Sequence, residues 1–445
     1  MKIEEEVLAK LKPDAEDEAR INHIIDLLVK KIMGTKAAAG KDIQPYLVGS
    51  IAKGTHLRDP DADIFLLFSP DVPREELESV GLAIGKEAIT GREHYAEHPY
   101  IKGEFMGLRA DIVPAYRITD SSQKMTAVDR TPFHTEYVKT HLAPGLRDDV
   151  RLLKAFMKGI GTYGADAKTM GFSGYLCELL VIKFGGFRKL LEGTSVWRQG
   201  LRMELGPGTD RKFDSPLTFI DPVDPARNVA SAVSPDNLAA FIAAARAYLV
   251  APKLEFFFPK PLKPLAMKDI KARIAERGAT VIMTMPMPDL IDDILYPQLR
   301  KFERNAMQAL ESAGFRGIDS SSHVSDGTMA IILGLESSKL PKASLHRGPP
   351  VSVADNSASF LEKWGASPDA ASGLFIRDGC WHVYMKRKYT DAAQYLTDAL
   401  QNIDAGKDLN SLKDRVKISD SVPNNDAIKN AISAHLDRRM PWERD

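Results

Sequence analysis

The sequence predicts a multidomain α+β protein, because three consecutive regions differ in periodicity. The chain has 445 residues, which is too many for one hydrophobic core. Residues 1–135 mix helix and strand patterns, residues 136–255 are mainly helical, and residues 256–445 return to a mixed pattern. A rigid proline-rich segment at 256–264 marks the second boundary. We therefore expect an α/β domain, a helical central domain, and a C-terminal split β-α-β domain with a helical tail.

The first region shows helix and strand signals in alternation. Apolar residues at helical spacing, Ile21 to Ile32, predict an amphipathic first helix, and the run Ile64 to Phe68 predicts a buried strand. The predicted elements are a helix at 15–33, a strand ending at Val48, a short helix opened by Gly49-Ser50, a strand at 61–68, a helix at 75–90, and strands at 94–102 and 105–116.

The remaining two regions are predicted in the same way. In the helical region, Ser234 followed by Pro235 is typical of a helix start. The predicted helices there cover 148–160, 173–191 and 234–250. In the third region we expect a strand at 280–285, a helix at 291–313, strands near 314–319 and 329–335, a helix at 357–364, a strand pair at 374–384, and helices at 391–403 and 425–438. That order is β-α-β-β-α-β with one extra strand.

Charge and cysteine content limit the classes of function. Lys and Arg number 60, as do Asp and Glu, so a nucleic-acid site must be a local basic patch. The only two cysteines, Cys177 and Cys380, lie far apart in sequence and predict free thiols in a reducing cytoplasm. The acidic start does not resemble a signal peptide, and no apolar run approaches the ~18 residues of a membrane span.

Three aspartates form the chemistry-bearing pattern of the chain. Asp61 and Asp63 enter the buried strand two residues apart, so their side chains lie on one face. Like charges held together at a strand mouth require neutralisation, and carboxylate oxygens suit Mg²⁺. Asp111 sits within the last strand pattern of the same region. Three such carboxylates are the number that a two-metal phosphoryl-transfer site needs, although Asp59 is a competing candidate across Pro60.

A glycine-serine turn precedes these carboxylates and fits the phosphate end of such a site. Gly49 allows close backbone approach, and Ser50 offers a hydroxyl beside a helix start. Lys53 follows one turn later and can face the same anion. The ordinary alternative is a simple helix cap followed by a solvated lysine.

These motifs resemble the nucleotidyltransferase superfamily that includes DNA polymerase beta and the poly(A) polymerases. Other stretches resemble the archaeal, class I CCA-adding tRNA nucleotidyltransferases over about residues 40–300, and more loosely elsewhere. These stretches are 95–100 (with His98), 127–134, 151–154, 171–179, 221–230 and 295–299.

The resemblance implies a polymerase-beta-like catalytic domain that adds C, C and A to the 3′ end of tRNA from CTP and ATP. It implies that Asp61, Asp63 and Asp111 hold two Mg²⁺ ions, and that Asp111 also orients the attacking 3′-hydroxyl. It further implies triphosphate contacts from Ser50, Lys53, His134, Lys154 and Tyr163, and base recognition by Arg227. The C-terminal half would bind the acceptor and TΨC arms by shape and phosphate contact.

Two residues depart from the family pattern. Lys53 stands where the family usually has Arg, so the charge is kept but bidentate contact is lost. Asp61 stands where the family usually has Glu, and the preceding loop is one residue shorter.

Each of these side chains also has an ordinary structural alternative. His134 could be a helix-capping or surface residue, Lys154 a solvated side chain, and Tyr163 a loop aromatic packed on the core. Arg227 could form only an intra-loop ion pair with Asp224. His98 is expected to be structural.

The RNA-binding surface and the rival functions stay open at this stage. Lys386-Arg387-Lys388 is the preferred basic patch, with a solvated surface run as the alternative. One rival function is a poly(A) polymerase or other terminal transferase, and another is a non-catalytic RNA-binding protein on a degenerate transferase fold. Whether the chain forms a homodimer is not determined by the sequence.

Overall fold

The computed structural model describes residues 2–95, 99–206, 208–423 and 425–444. It divides into an N-terminal unit, Met1–Lys260 with Met440–Asp445, and a C-terminal unit, Pro261–Arg439. Within the N-terminal unit, one hydrophobic core belongs to the first sheet and another to the following helices. The division into three domains stays a prediction.

The first part of the chain forms a five-stranded mixed sheet. Its elements are α1 (Ile3–Leu11), α2 (Ala15–Met33), β1 (Ile43–Val48), α3 (Gly49–Lys53), β2 (Asp61–Phe68), α4 (Arg74–Ala88), β3 (Thr90–Tyr95), β4 (Pro99–Phe105) and β5 (Leu108–Tyr116). The strand order is β1-β2-β5-β4-β3, and only β2 and β5 pair in parallel. His98 lies outside the described residues.

The two faces of this sheet differ in chemistry. Ile64 and Leu66 of β2 pack with α2 and α4 in a closed apolar core. The alternate residues, beginning with Asp61 and Asp63, lie on the opposite face because strand side chains alternate. The predicted alternation of β2 is therefore confirmed.

Helices dominate the next part of the unit. They are α5 (Thr131–His141), α6 (Arg147–Gly159), α7 (Gly174–Phe184) and α8 (Phe187–Thr194), followed by the short strands β6 (Leu201–Met203) and β7 (Leu217–Phe219) and by α9 (Pro235–Val250). Ser234 caps α9 as predicted, since its side chain accepts a hydrogen bond from the Asn237 amide. The single helix predicted over 173–191 is wrong. Gly185 and Gly186, with φ of 72° and 133°, separate α7 from α8.

The C-terminal unit contains a four-stranded antiparallel sheet. Its elements are α10 (Met267–Arg277), β8 (Ala279–Pro286), α11 (Asp292–Ser312), β9 (Gly317–Ser325), β10 (Thr328–Leu335), β11 (Ala343–Pro350), α12 (Ala354–Gly365), β12 (Phe375–Arg377), β13 (Cys380–Lys386), α13 (Ala392–Ala399), β14 (Lys417–Ser419) and α14 (Asp426–Leu436). The order β14-β8-β10-β9, with every pair antiparallel, is the arrangement of a split β-α-β sheet.

Two elements of that split β-α-β prediction were assigned wrongly. The second helix of the motif is α13, not the predicted helix at 357–364, and the fourth strand is β14, not the pair at 374–384. Strands β11, β12 and β13 form a separate three-stranded sheet with α12. This second sheet is inserted in the chain between β10 and α13. Its strands and helix therefore interrupt the split β-α-β motif in sequence.

No helix within the described ranges combines the length and the apolar character needed to cross a lipid bilayer.

Candidate active site

Strand register brings the predicted carboxylates together. In the parallel pair β2–β5, Asp63 lies opposite Asp111 and Asp61 lies opposite Arg109. In the antiparallel pair β1–β2, Asp63 lies opposite Val48, the last residue before Gly49. The sequence alone suggested the common face of Asp61 and Asp63, and the register adds Asp111 as their direct neighbour.

Gly49 is required where β1 turns into α3. Its φ of +73° lies in the left-handed region, which favours glycine. A Cβ atom at this position would stand 1.9 Å from the Asp63 Oδ2 atom. The backbone of the Gly-Ser turn therefore lies directly against the central carboxylate.

The three carboxylates disfavour one another's ionised forms. Burial, followed by the charges of Asp111 and Asp61, raises the pKa of Asp63 to about 7. Burial also raises the pKa of Asp111. This site therefore carries more negative charge than its own surroundings neutralise.

Two basic side chains on neighbouring strands hold the outer carboxylates. Arg109 donates through Nε to Asp61 and through an NH1–Asp59 Oδ2 bond of 3.1 Å. Lys102 donates through Nζ to the Asp111 Oδ2 atom at 3.4 Å. Asp59 thus shares Arg109 with Asp61, as a turn residue whose side chain is 84% exposed.

The carboxylate set fits a hard divalent cation by its chemistry. It offers oxygen donors only, and it is short of positive charge. In the part of the chain that the structure describes, no three His, Cys, Asp or Glu side chains are already gathered as metal ligands. The carboxylates of Asp61 and Asp111 are bonded instead to Arg109 and Lys102.

Opposite the carboxylates, a buried acid on α7 holds both predicted phosphate lysines. Glu178 is fully buried, and its Oε2 atom accepts from the Lys53 Nζ atom at 2.5 Å. Its Oε1 atom accepts from Lys154 at 3.2 Å and from the Thr55 hydroxyl at 2.6 Å. Burial alone would raise the pKa of Glu178, but the charges of Lys53 and Lys154 hold it below its usual value. Lys53 and Lys154 are therefore structural ion-pair partners as well as cleft residues.

A second buried acid organises His134 and Arg227. Asp221 is fully buried, and its Oδ2 atom lies 2.8 Å from His134 Nε2 and 3.0 Å from Arg227 NH1. Its Oδ1 atom accepts from the Tyr175 hydroxyl at 3.2 Å, and the Tyr175 ring stacks on His134 with centroids 4.1 Å apart. Burial opposes ionisation, yet the hydrogen bond from His134 and the nearby charges lower the pKa of Asp221 to about 2.

The alternative that pairs Arg227 with Asp224 is wrong. The carboxylate of Asp224 is bound instead by Lys124 and by Arg130, the latter at 3.2 Å. Arg227 pairs with Asp221, which lies earlier in the same loop. Burial lowers the pKa of His134, although the hydrogen bond to Asp221 and the charge of Asp221 act in the opposite direction.

A cleft of about 320 Å³ joins the two sides. Gly49, Ser50, Asp61 and Asp63 line it from the sheet. The helical side contributes Lys154, Lys158, Tyr163, Gly174, Tyr175 and Glu178. His134, Arg227 and Asp111 are not among the residues that line this cleft, although Tyr175 connects it to His134.

Lys158 lines the cleft, although the sequence did not predict it as a site residue. It follows Lys154 by one helical turn on α6, and its Nζ atom lies 5.2 Å from the centroid of the Tyr163 ring. Lys158 is exposed, whereas Lys53 and Lys154 are buried against Glu178. The accessible positive charge of the cleft is therefore supplied mainly by Lys158.

Glu178 and Asp221 were also not predicted as site residues. The sequence contains a signal for the first, and for only part of the role of the second. An acid in the strongly apolar α7 is a signal for a buried ion pair, because an unpaired charge there would be costly. Asp221 lay in a stretch predicted to position Arg227, but nothing local indicated that it also binds His134, 87 residues away.

The predicted RNA-binding residues of the C-terminal unit do not form one uniform patch. Lys386 and Lys388 are exposed, with Lys386 Nζ donating to the Pro368 carbonyl at 2.8 Å. Arg387 instead turns into the fold, where its NH1 atom lies 3.4 Å from the Ala313 carbonyl oxygen. RNA binding by Lys386, Arg387 and Lys388 stays a prediction.

Comparison with known proteins covers nearly the whole chain. Residues 28–134 match the family described as nucleotidyltransferase domain, residues 148–258 the second domain of tRNA nucleotidyltransferase, and residues 277–420 the C-terminal domain of CCA-adding enzyme. The CCA-adding enzyme of Picrophilus torridus is 37% identical over 92% of both chains. That of Methanoregula boonei is 39% identical over 91% of this chain and 88% of its own, and that of Thermoplasma acidophilum 38% over 92% of both.

Proposed function

Since this chain belongs to the archaeal family of CCA-adding enzymes, we propose that its cleft adds C, C and A to the 3′ end of tRNA. The 3′-hydroxyl of the RNA attacks the α-phosphate of CTP or ATP, and pyrophosphate leaves. The observation that carries the proposal is the register of Asp63 with Asp111, beside a Gly-Ser turn that lines the cleft together with Asp61 and Asp63.

On the sheet side, Asp61, Asp63 and Asp111 would hold two Mg²⁺ ions. When bound, such ions neutralise charge on the phosphate oxygens and on the attacking hydroxyl. The carboxylate of Asp111 would accept the proton of the attacking 3′-hydroxyl. To hold the ions, Asp61 and Asp111 would give up their bonds with Arg109 and Lys102.

On the helical side, the triphosphate would lie between Ser50 and Lys158. Lys53 and Lys154 support it from beneath, because Glu178 fixes both ammonium groups at the cleft wall. Tyr163 provides a ring at the same wall. Most of the rate acceleration then comes from positioning and from charge neutralisation.

Base selection would depend on the group centred on Asp221. The guanidinium of Arg227 keeps donors free for a base edge or an RNA phosphate, since NH1 alone bonds Asp221. His134 is held in place by the same carboxylate and by Tyr175. The growing 3′ end of the RNA would form the other side of the base-binding pocket, and protein and RNA together would select C and then A.

The working partners follow from this reaction. The substrates are tRNA, CTP and ATP, and the C-terminal unit would bind the acceptor and TΨC arms. The protein would act in the cytoplasm, in agreement with the two cysteines, which are both buried and unpaired.

A single-nucleotide assay tests the proposal. Three tRNA transcripts, ending before the first C, after one C and after two, are each incubated with one nucleoside triphosphate and Mg²⁺. We expect CTP to extend the first two, ATP to extend only the third, and extension to stop after A. Long homopolymeric tails would instead identify a poly(A) polymerase, and no extension at all would indicate a non-catalytic RNA-binding protein.

A further inference from the structure

The loop that carries Arg227, residues 221–227, is closed by its own backbone. The Arg227 amide donates to the Asp224 carbonyl at 2.9 Å, and the Asp221 amide donates to the Arg227 carbonyl at 3.1 Å. These two bonds link Arg227 to both earlier positions of the loop, so a displacement of Asp224 also displaces Arg227. The direction of the guanidinium therefore depends on what holds Asp224 in place.

The side chain of Asp224 is buried and binds two basic residues from another part of the chain. Its Oδ2 atom accepts from the Lys124 Nζ atom and from the Arg130 NH1 atom, the latter at 3.2 Å. Burial opposes ionisation, but the hydrogen bond and charge of Lys124, with the charge of Arg130, hold the pKa of Asp224 below its usual value. The Ser121 hydroxyl also donates to the Val223 carbonyl at 2.7 Å. Three contacts thus attach the loop to one segment that lies 94 to 102 residues earlier in the chain.

That earlier segment is fixed to the end of β5. Asp129 is fully buried, and its Oδ1 atom accepts from the amide of Tyr116, the last residue of β5, at 2.9 Å. Its Oδ2 atom accepts from the amides of Met125 and Thr126 at 3.0 and 2.6 Å. A buried acid with three such bonds holds the segment against the strand. A path of hydrogen bonds and ion pairs therefore joins β5, with its candidate metal ligand, to the loop that would read the base.

We propose that Asp224, held by Lys124 and Arg130, is a positioning residue that sets the direction of Arg227 and thereby the choice between bases. These three side chains are here termed the Asp224 clamp. The inference rests on the proposed function, in which Arg227 recognises the base edge. It extends that function to a determinant of specificity outside the cleft, since the described residues that line the cleft include no member of the clamp.

A change in the clamp should affect specificity more than the rate with the correct nucleotide. Specificity is the ratio of two values of kcat/KM, so it responds to any shift of a group that contacts the part in which the two substrates differ. In the proposed reaction Arg227 faces the base, whereas Asp63 and Asp111 face the phosphate that reacts. An ion pair with only a structural role would instead lower stability and leave the ratio unchanged.

The test compares kcat/KM for CTP and for UTP, with the full-length protein, Mg²⁺ and a tRNA transcript that lacks its 3′ C, C and A. UTP is the competitor because uracil has the size of cytosine but carries a carbonyl acceptor where cytosine carries an amino donor. The variants are Lys124→Ala and Lys124→Arg, which keeps the charge. Lys139→Ala is the matched control, since Lys139 is as accessible as Lys124 but pairs with Glu136 at 2.9 Å, away from the loop.

We expect Lys124→Ala to lower the CTP-to-UTP ratio of kcat/KM about tenfold, with kcat at saturating CTP within about threefold of the parent. Lys124→Arg should recover most of the ratio, and Lys139→Ala should match the parent. The double variant of Arg227→Ala with Lys124→Ala should have the same ratio as Arg227→Ala alone, because Lys124 acts through Arg227.

Two outcomes would overturn the clamp alone. One is an unchanged ratio in Lys124→Ala, even with a lowered thermal midpoint, and the other is a loss of specificity that adds to that of Arg227→Ala. A parent protein that extends no tRNA would refute the proposed function and the clamp together. If Lys124→Ala is poorly folded, Lys124→Met, which keeps the length of the side chain without its charge, decides the result by the same ratio.

Discussion

The two walls of the cleft solve the problem of buried charge in opposite ways. On the helical wall, Glu178 is surrounded by two lysines and a threonine, all hydrogen-bonded to it. On the sheet wall, Asp63 faces two other acids. Lys102 and Arg109 bind those acids, and Lys53 binds Glu178. The charge of Glu178 on the helical wall is therefore balanced within the protein, whereas the carboxylates of the sheet wall keep an excess of negative charge.

The difference implies that the helical wall is preorganised for substrate, whereas the sheet wall would change its contacts when cations bind. A wall whose charges are already paired keeps its geometry before substrate arrives, so it can position a triphosphate without rearrangement. A wall with excess negative charge would attract hard cations, for which Asp61 and Asp111 would give up their surface contacts. The substitutions below test each wall separately.

The largest effect is expected from the centre of the sheet wall. Asp63→Asn removes the carboxylate between Asp61 and Asp111, so C addition should fall about a thousandfold, the equivalent of several kcal/mol of charge stabilisation. Initial rates at saturating CTP measure this. Asp59→Asn is the matched control, because its side chain is largely exposed in the turn, and its rate should stay within a few-fold of the parent. Full activity of Asp63→Asn would refute the metal assignment.

The next effect concerns the helical wall. Glu178→Gln leaves the ammonium groups of Lys53 and Lys154 buried without a counter-charge, which should lower the free energy of unfolding by about 3–5 kcal/mol. Urea denaturation followed by circular dichroism measures it. Glu192→Gln, on the exposed surface of α8, should change stability by less than about 0.5 kcal/mol. If both variants were equally stable, the helical wall would not depend on Glu178.

A smaller effect should appear as a pH dependence of stability in the presence of a chelator. Because the pKa of Asp63 is raised to about 7, the folded protein binds more protons than the unfolded chain between about pH 4 and 7. The contribution of the Asp63 side chain to the free energy of unfolding is present below about pH 4 and is lost as the pH rises to 7. Thermal midpoints in EDTA should show this loss for the parent but not for Asp63→Asn, and added Mg²⁺ should reverse it. An identical pH profile for parent and variant would contradict the raised pKa.

The smallest effect is expected from Arg109. It is half exposed, so Arg109→Ala should change the free energy of unfolding by at most about 1 kcal/mol. Removal of this competitor for Asp61 should nevertheless increase the stabilisation that Mg²⁺ produces in a thermal melt. Lys86→Ala, which breaks the exposed pair with Glu93, provides the control without that second effect. A smaller Mg²⁺ response in Arg109→Ala would show that the guanidinium assists the metal.

The sequence revealed the sheet wall better than the helical wall, for a physical reason. Alternation along β2 is a local property, so the common face of Asp61 and Asp63 can be predicted from their spacing. The bond of Lys53 to Glu178 spans 125 residues, and no local pattern encodes it. Lys53 lines the cleft, its contact with phosphate stays a prediction, and its buried partner was not predicted.

The predictions of the fold were wrong where glycines divide a helical pattern and where an inserted segment divides the split β-α-β motif. The apolar run of 173–191 satisfied helical periodicity throughout, but two glycines with positive φ divide it. In the C-terminal unit the β-α-β-β-α-β order was right, while the inserted α12 and β13 resembled the expected helix and strand in length and apolar content. Only strand pairing distinguishes them from α13 and β14.

That insertion has a consequence for the modularity of the chain. The two ends of the excursion meet, since the Leu340 amide donates to the Thr390 carbonyl at 2.8 Å and the Ala392 amide to the Ser338 carbonyl at 2.9 Å. The inserted segment therefore begins and ends at adjacent positions in the structure. A short linker in place of the whole inserted segment is therefore expected to leave the strands of the larger sheet in place, so the insertion behaves as a separable module.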